Sequence, residues 1–176
     1  MNEHKRLYKI QVISIIAILI SIFLSFHYYQ PQTSNFCPFG ESFNCNVINK
    51  SPYATIDGIF YFLTTDMNLD VPLVKIPLPN ATVTLVIFLI IFGAAYSIGK
   101  NKPFWGMKRE KLLQLLRVLL YISLAYAIYL AYVEAFILLN YCIFCILLDV
   151  CIIAALWLVI GIKKKAKKKV KRRKRR

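Results

Sequence analysis

The chain has 176 residues and a formal net charge of +15, with 59% of its residues hydrophobic and 18% charged. Soluble domains are usually about 45–50% apolar and about 25% charged, so this chain carries more apolar surface than a soluble core can bury. Of its 23 Lys and Arg residues, 12 lie between Lys163 and Arg176, so most of the charge belongs to a tail. The composition excludes a soluble enzyme, a collagenous chain and a disordered regulator, and it indicates a membrane protein.

Four apolar runs of about 17–22 residues follow one another along the chain. At about 1.5 Å per helical residue, each can cross a hydrocarbon core of about 30 Å. The runs cover residues 10–26, 81–98, 118–139 and 141–162. The first is longer than the apolar core of a signal peptide and is not followed by a small-residue cleavage site, so we interpret it as an anchor. The sequence therefore predicts an all-α integral membrane protein, a bundle of four transmembrane helices.

Basic residues are distributed unequally over the segments that flank these runs. The side that would hold both termini carries 20 of the 23 Lys and Arg residues, whereas residues 27–80 carry only Lys50 and Lys75. Because basic residues favour the cytoplasmic side, we expect cytoplasmic termini and an extracytoplasmic 27–80 segment. The predicted domains are a membrane domain, 1–162, and a polybasic tail, 163–176. The tail contains no aromatic residue to stack on bases, so we interpret it as an anchor on anionic membrane lipid and expect no nucleic-acid partner.

Four of the five cysteines converge on the extracytoplasmic side in this topology. Cys37 and Cys45 lie in the long segment, and Cys142 and Cys145 open the fourth helix. The free N–H groups and positive dipole of a helix start favour a thiolate, which lowers the pKa of a cysteine placed there. Two dithiols within reach of each other permit disulfide exchange. Inert disulfides and a zinc site remain alternatives; we favour a redox relay and expect no metal.

Helical geometry separates the other polar positions near the membrane centre. At about 100° per residue, Asp149 shares the face of Cys142, whereas Cys151 lies on the opposite face and is expected to be a packing residue. A carboxyl in this position costs about 2.5–3.5 kcal/mol, so it is read as functional or as a hydrogen-bonding partner of another helix. Glu134 lies near the outer end of the third helix, where we expect it to reach interfacial water.

The segment after Cys45 contains a helix start signal. Ser51 precedes Pro52, and serine at the cap with proline at the first helical position favours a helix. We predict a short amphipathic interfacial helix over Pro52–Leu63, between the first two membrane helices. An irregular connection from Thr64 to Pro79 is expected to follow it.

These features together resemble the vitamin K epoxide reductase family, including its prokaryotic members that act in disulfide formation. The matching features are the Cys37/Cys45 pair, Ser51 shortly after it, the stretch NCNVINKSPYATIDGIF, and Cys142-Ile-Phe-Cys145 opening the last helix. The resemblance covers roughly residues 8–162. It implies a four-helix bundle around a quinone of the ubiquinone, menaquinone or vitamin K type.

The resemblance also implies a role for each cysteine. Cys145 would exchange electrons with the quinone, and Cys142 would be its disulfide partner and would receive electrons from Cys45. Cys37 would meet a thioredoxin-like protein. Because the chain ends 14 residues after the last predicted span, we expect this partner to be a separate protein.

Three further positions are implied to lie at the quinone. Ser51 is similar to a loop serine of the family, and Asn80 resembles an asparagine that hydrogen-bonds a quinone oxygen in some members. Asp149 stands where some animal members have a tyrosine, which argues against epoxide reduction. An acid there would donate a hydrogen bond or a proton to the quinone.

The expected function is that of a quinone-dependent thiol oxidoreductase that generates disulfides in its thioredoxin-like partner. Two alternatives stay open. The same relay can serve as a vitamin K quinone or epoxide reductase, whose purpose is to reduce the vitamin with thiols. A non-catalytic membrane protein with structural disulfides would carry the same cysteine count.

Overall fold

The structure, a computed structural model, describes residues 3–30, 43–65, 78–100, 104, 106–107 and 109–173, with side chains described as far as Ile162. These residues form six α-helices: α1 (Glu3–Tyr29), α2 (Cys45–Asn49), α3 (Gly58–Thr65), α4 (Asn80–Lys100), α5 (Arg109–Tyr132) and α6 (Ile143–Arg173). A 3₁₀-helix, Pro52–Ala54, lies between α2 and α3. At its end, α5 continues as a π-helix, Val133–Ile137.

Four helices in the described part of the chain are long and apolar enough to cross a membrane: Glu3–Tyr29, Asn80–Lys100, Arg109–Ile137 and Ile143–Ile162. The predicted four-helix membrane bundle is therefore confirmed. The helices extend past the apolar runs, and the third begins at Arg109 instead of at Val118. The added stretch is rich in Arg, Glu, Lys, Leu and Gln, which are strong helix formers, so the helix continues where the apolar pattern ends.

α1 packs against both α4 and α6, and α5 packs against α6. The buried face of α1 repeats at helical spacing through Leu7, Ile10, Ser14, Ala17, Ser21 and Leu24. Small residues in such a stripe allow the backbones of neighbouring membrane helices to approach closely. On α4, Ala94 and Ala95 are likewise fully buried. Close helix contacts of this kind form the core that supports the two ends of the bundle.

The outward faces of the same helices expose large apolar side chains. Leu19 is 61% exposed, Trp157 is 68% exposed and Phe136 is 70% exposed. Soluble monomers rarely expose large continuous apolar surfaces, whereas hydrocarbon solvates such faces without cost. The outer surface of the bundle thus suits a bilayer.

The two ends of the bundle differ in what they bring together. At one end, the last turn of α1 and the first turns of α4 and α6 lie together with the short helices α2 and α3. Cys45, Cys142 and Cys145 lie there, and we call it the cysteine end. At the opposite end, Glu3 and Arg109 form a salt bridge that joins the starts of α1 and α5. The helix order therefore places the start of α1 and the C-terminal part of α6 away from the cysteine end.

The prediction of one continuous interfacial helix over Pro52–Leu63 is wrong. The chain leaves the 3₁₀-helix at Thr55, which forms a bridge with Pro79, and the next N–H, of Ile56, donates to the Leu78 carbonyl at 3.1 Å. These contacts tie the loop to the start of α4, and because an unbroken helix could not make them, the helix divides into two pieces.

Gly58 makes the second piece possible. A Cβ at this position would lie 2.6 Å from the Tyr53 Cα, closer than any side chain tolerates. Only glycine permits this approach of α3 to the preceding turn. The connection predicted to be irregular from Thr64 is helical as far as Thr65, and residues 66–77 of it lie outside the described residues.

The capping role predicted for Ser51 is also wrong. No side-chain hydrogen bond caps Pro52–Ala54, and the Ser51 hydroxyl instead donates to the Ile48 carbonyl at 2.8 Å. That carbonyl belongs to α2, a helix that the sequence analysis did not predict. Ser51 therefore closes the end of α2 and does not begin the next helix.

Candidate active site

Helix α2 places Cys45 inside the cysteine end. Cys45 is its first residue and is fully buried. The Asn49 side-chain amide donates to the Leu24 carbonyl at 3.0 Å, and the Lys50 ammonium donates to two backbone carbonyls at the end of α1. The Lys50 bonds satisfy carbonyls that the helix end leaves free. Together with the Asn49 bond they hold α2, and with it Cys45, against α1.

The segment before α2 lies beside the segment before α6. Phe43 and Tyr141 form a parallel β-bridge, and their ring centroids are 5.9 Å apart. Asn44 then caps α2 by accepting from the N–H groups of Asn46 and Val47. Because the bridge precedes both helices by only one or two residues, it brings Cys45 next to Cys142.

The cysteines of the C-x-x-C motif lie at the start of α6, as predicted. Cys142 directly precedes the helix, and its sulfur accepts a hydrogen bond from the Cys145 N–H at 3.4 Å. The sulfur thus takes the place of a capping oxygen. The Cys142 thiol lies within hydrogen-bonding reach of both the Cys45 and the Cys145 thiols. Three thiols therefore form an unbroken line from α2 to α6.

The remaining two cysteines stand apart from this line. Cys37 lies outside the described residues. Cys151 is half-buried against the helix core and is not among the residues that line the cavity described below, which agrees with the face predicted from helical geometry. No disulfide joins any two of the four described cysteines. Within the described ranges no group of three or more His, Cys, Asp or Glu side chains is positioned to hold a metal ion.

The pKa of the Cys142 thiol is raised above its ordinary value, so the lowered pKa predicted from the helix start is wrong here. The largest cause is the hydrogen bond to Cys145, and burial acts in the same direction, while the hydrogen bond to Cys45 acts against them. Desolvation disfavours a charged sulfur, and the helix start does not compensate for it. In the dithiol state Cys142 therefore keeps its proton at neutral pH.

A cavity opens beside Cys145 between α4, α5 and α6. Its lining includes these residues with polar side chains: Asn49, Ser51, Tyr53, Asn80, Thr84, Glu134, Cys145 and Asp149. Its other walls are apolar and include Leu24, Ile48 and Leu148. All three positions that the sequence suggested for quinone contact, Ser51, Asn80 and Asp149, thus line one cavity with Cys145. Apolar walls with a few convergent polar groups are typical of sites for flat organic cofactors.

Asn80 is held in one orientation at this cavity. Its amide nitrogen donates to the Tyr53 carbonyl at 2.9 Å, and its amide oxygen accepts from the Tyr126 hydroxyl at 2.9 Å. An amide nitrogen carries two N–H groups, so one N–H of Asn80 is left for a ligand oxygen. The residues present therefore fit a quinone, whose ring oxygens need donors and whose ring needs apolar walls.

Glu134 is the site residue that the sequence analysis misjudged. It was expected to reach interfacial water, but it is only 6% exposed. Its carboxylate oxygen accepts the Cys142 N–H at 3.2 Å, and its carboxyl lies within hydrogen-bonding reach of the Cys145 thiol. Glu134 lies in the π-helix. The turn that follows contains Leu139 at a φ of 50° and leads into α6. A carboxyl in an apolar run close to a C-x-x-C motif was the available signal.

Comparison with models of known protein families matches residues 9–160 to the vitamin K epoxide reductase family. No curated protein matches the chain. The matched region includes most of the first and fourth apolar helices and all of the second and third, together with the three described thiols of the line and the cavity beside them. Enzymes of this family are quinone-linked thiol–disulfide oxidoreductases. The chain belongs to the vitamin K epoxide reductase family and is an integral membrane enzyme of that class.

Proposed function

We propose that this enzyme generates disulfides in a separate, extracytoplasmic thioredoxin-like protein and passes the electrons to a membrane quinone. The observation that carries the proposal is the line of Cys45, Cys142 and Cys145 thiols, which ends at the apolar cavity. A structural disulfide needs one partner for each sulfur. A central sulfur within reach of two others is instead what an exchange relay needs.

Each transfer in the relay is a thiol–disulfide exchange, in which a thiolate attacks one sulfur of a disulfide and the other sulfur leaves. When Cys142 and Cys145 are joined, the Cys45 thiolate attacks Cys142, and Cys145 leaves as a thiolate towards the cavity. Attack of Cys37 on Cys45 then releases Cys142 and closes the loop disulfide, which oxidises the partner's dithiol in turn. In each cycle two thiols become one disulfide, and two electrons and two protons leave the protein.

The cavity can hold the quinone that these electrons and protons require as an acceptor. When bound there, a quinone supplies a two-electron, two-proton acceptor. The second N–H of Asn80 would hold a ring oxygen of the quinone, and the apolar walls would exclude water. Ser51 lies at the cavity with its hydroxyl proton engaged by the Ile48 carbonyl, and Asp149 offers a proton or a hydrogen bond from the α6 side.

Disulfide generation is favoured over reduction of a vitamin K quinone or epoxide as the role of the enzyme. The support is Asp149 itself, which stands in place of the tyrosine of some animal members and lines the cavity. A non-catalytic role is disfavoured because a structural disulfide needs neither a third thiol within reach of one of its sulfurs nor a cavity beside it.

The orientation we propose has the cysteine end outside the cytoplasm. It is supported by the basic residues, of which 20 of 23 flank the end that holds both termini, since positive residues favour the cytoplasmic side. The 163–176 tail then lies on the cytoplasmic leaflet, where each basic residue contributes about 1 kcal/mol of attraction to anionic lipid.

The relay predicts that Cys142→Ala stops turnover, because its sulfur is the only described one that joins Cys45 to Cys145. The assay mixes purified enzyme anaerobically with a reduced thioredoxin-like protein and a quinone, and it follows quinone absorbance together with disulfide formation. Cys151→Ala is the matched control and should retain wild-type turnover. If both variants are expressed at the same level and lose activity equally, the relay through Cys142 is contradicted.

Asp149 is predicted to serve the cavity and not only helix packing. Asp149→Asn keeps the shape and a donor but loses the transferable proton, so it should bind quinone and turn over more slowly with an altered pH profile. Asp149→Leu should also weaken quinone binding. Glu134 is the other carboxyl facing this position, so both variants are measured with Glu134 intact. Wild-type turnover and pH dependence in both variants would leave Asp149 a packing residue.

The orientation predicts which reporter cysteines a membrane-impermeant thiol reagent reaches in intact cells. Val47 on α2 is 42% exposed at the cysteine end, and Glu110 is exposed at the opposite end. Val47→Cys should be labelled in intact cells, and Glu110→Cys only after permeabilisation, with the labelled site identified by mass spectrometry. The reverse pattern would invert the topology and place the oxidising activity in the cytoplasm.

A further inference from the structure

A carboxyl buried between two redox cysteines demands an explanation of its own. Glu134 lies in the π-helix that ends the third membrane helix, and it is 6% exposed. A buried polar group is costly unless it is hydrogen-bonded, and π-turns are rare and occur frequently at functional sites. Two unfavourable features thus coincide at one residue, and both serve to bring its carboxyl to the start of α6.

Glu134 contacts both halves of the C-x-x-C motif, in two different ways. Its Oε2 atom accepts the backbone N–H of Cys142 at 3.2 Å. The same carboxyl lies within hydrogen-bonding reach of the Cys145 thiol. The first contact fixes the carboxyl, and the second offers it the proton of the sulfur that faces the cavity.

No other described group is better placed to take that proton. Cys142 holds its own proton in the dithiol state, as shown above. The single ion pair within the described ranges joins Glu3 to Arg109 at the opposite end of the bundle. Glu134 is therefore not engaged as the counter-ion of a described cation, and its carboxyl is available to exchange a proton.

We propose that Glu134 is a catalytic residue, the base that removes the proton from Cys145 when the dithiol is oxidised. In this step the Glu134 carboxylate and the Cys145 thiol become a carboxylic acid and a thiolate, and the sulfur keeps the electron pair of its S–H bond. In the opposite direction, the acid returns the proton to Cys145 as it leaves the Cys142–Cys145 disulfide. The inference rests on the proposed relay and names the proton acceptor that the relay needs.

Glu134 also lies at the cavity, so the proton that it accepts can pass to a group there. Glu134 and Asp149 line the same cavity as Cys145 and are close enough for the charge of one to act on the other. The titratable groups that face Glu134 are thus Cys142, Cys145 and Asp149 from the α6 side, with Cys45 of α2 reached through Cys142. Any pH dependence assigned to Glu134 has to be separated from these four.

The test compares Glu134→Gln with wild-type enzyme in the reduced state without quinone. Glutamine keeps the size of the side chain and an oxygen for the Cys142 N–H, but it cannot accept a proton. Site-resolved mass spectrometry follows the alkylation of Cys145 against pH. Because glutamine removes a negative charge from beside the Cys145 sulfur, we expect the alkylation profile of Cys145 to move to lower pH. In the assay with quinone and partner, turnover at neutral pH should nevertheless fall about 10²-fold, because the proton acceptor is lost, and it should recover as the pH rises.

Two controls make the outcome specific. Glu110→Gln changes an exposed carboxyl at the far end of the same helix and should leave both readouts unchanged. Asp149→Asn should leave the Cys145 alkylation profile nearer to wild type than Glu134→Gln does, because Asp149 is not within reach of that thiol by a hydrogen bond. If Glu134→Gln does not fold, Glu134→Asp withdraws the carboxyl from Cys145 by one methylene and should shift the profile in the same direction.

An unchanged Cys145 profile in a folded Glu134→Gln protein would overturn the proposal. A lower turnover rate at every pH, without a shift of the profile, would also overturn it, because that result describes a residue that only positions Cys142. Failure of the wild-type enzyme to oxidise any thioredoxin-like protein would instead count against the proposed function. The alkylation profile, measured without quinone or partner, decides the role of Glu134 separately.

Discussion

Phe43 and Tyr141 pair as a parallel bridge between two segments that are far apart in the sequence. Each segment leads directly into a helix that begins with a cysteine, α2 with Cys45 and α6 with Cys142 just before it. Without this pairing, a loop cysteine and a membrane cysteine would meet only by collision. With it, the two thiols are in reach of each other in the folded state, and the bonds from Asn49 and Lys50 to the end of α1 keep α2 in place. Proximity of this kind removes the search of one chain segment for another before the exchange can occur.

The polar groups at the cysteine end are arranged so that few of them are left without partners in an apolar setting. The Cys142 sulfur caps α6, Glu134 accepts the Cys142 N–H, and Asn80 is bonded on both sides of its amide. Unsatisfied polar groups inside a bilayer cost several kcal/mol each. The same bonds that make burial tolerable also orient the thiols and the carboxyl. Stability and chemistry therefore depend on one network at this end of the bundle.

Much of the fold could be predicted because a bilayer imposes a simple length rule. Four apolar runs gave four spanning helices, and the helical repeat separated Asp149 and Cys145 from Cys151 correctly. The helix ends were harder to predict, because polar helix formers such as those after Arg109 extend a helix beyond the hydrocarbon without an apolar pattern. The pairing of Cys45 with Cys142 came only from the family resemblance, because spacing along the chain does not reveal a bridge between distant segments.

The errors share a physical origin in hydrogen bonds that local patterns do not show. The proline after Ser51 predicts a helix cap, but the Ser51 hydroxyl donates to the Ile48 carbonyl of a five-residue helix, which is too short to show a periodicity of its own. Glu134 was read as interfacial from its depth, but the π-helix and the turn after it direct its carboxyl to α6. A wider helical turn changes which side chain meets a neighbour, and hydropathy is insensitive to that change.

The central claim is that Cys142 exchanges disulfides with both Cys45 and Cys145. Its most direct test is to trap the Cys45–Cys142 disulfide. Cys145→Ala removes the resolving sulfur, so mild oxidation of the purified variant with diamide should join Cys45 to Cys142 as the dominant disulfide. Digestion and mass spectrometry under non-reducing conditions would identify the linked peptides, with Cys151→Ala oxidised in parallel as the control. A Cys45–Cys142 peptide in the first variant is the result that the account predicts. Recovery of Cys142 as a free thiol, with Cys45 joined only to Cys37, would contradict it.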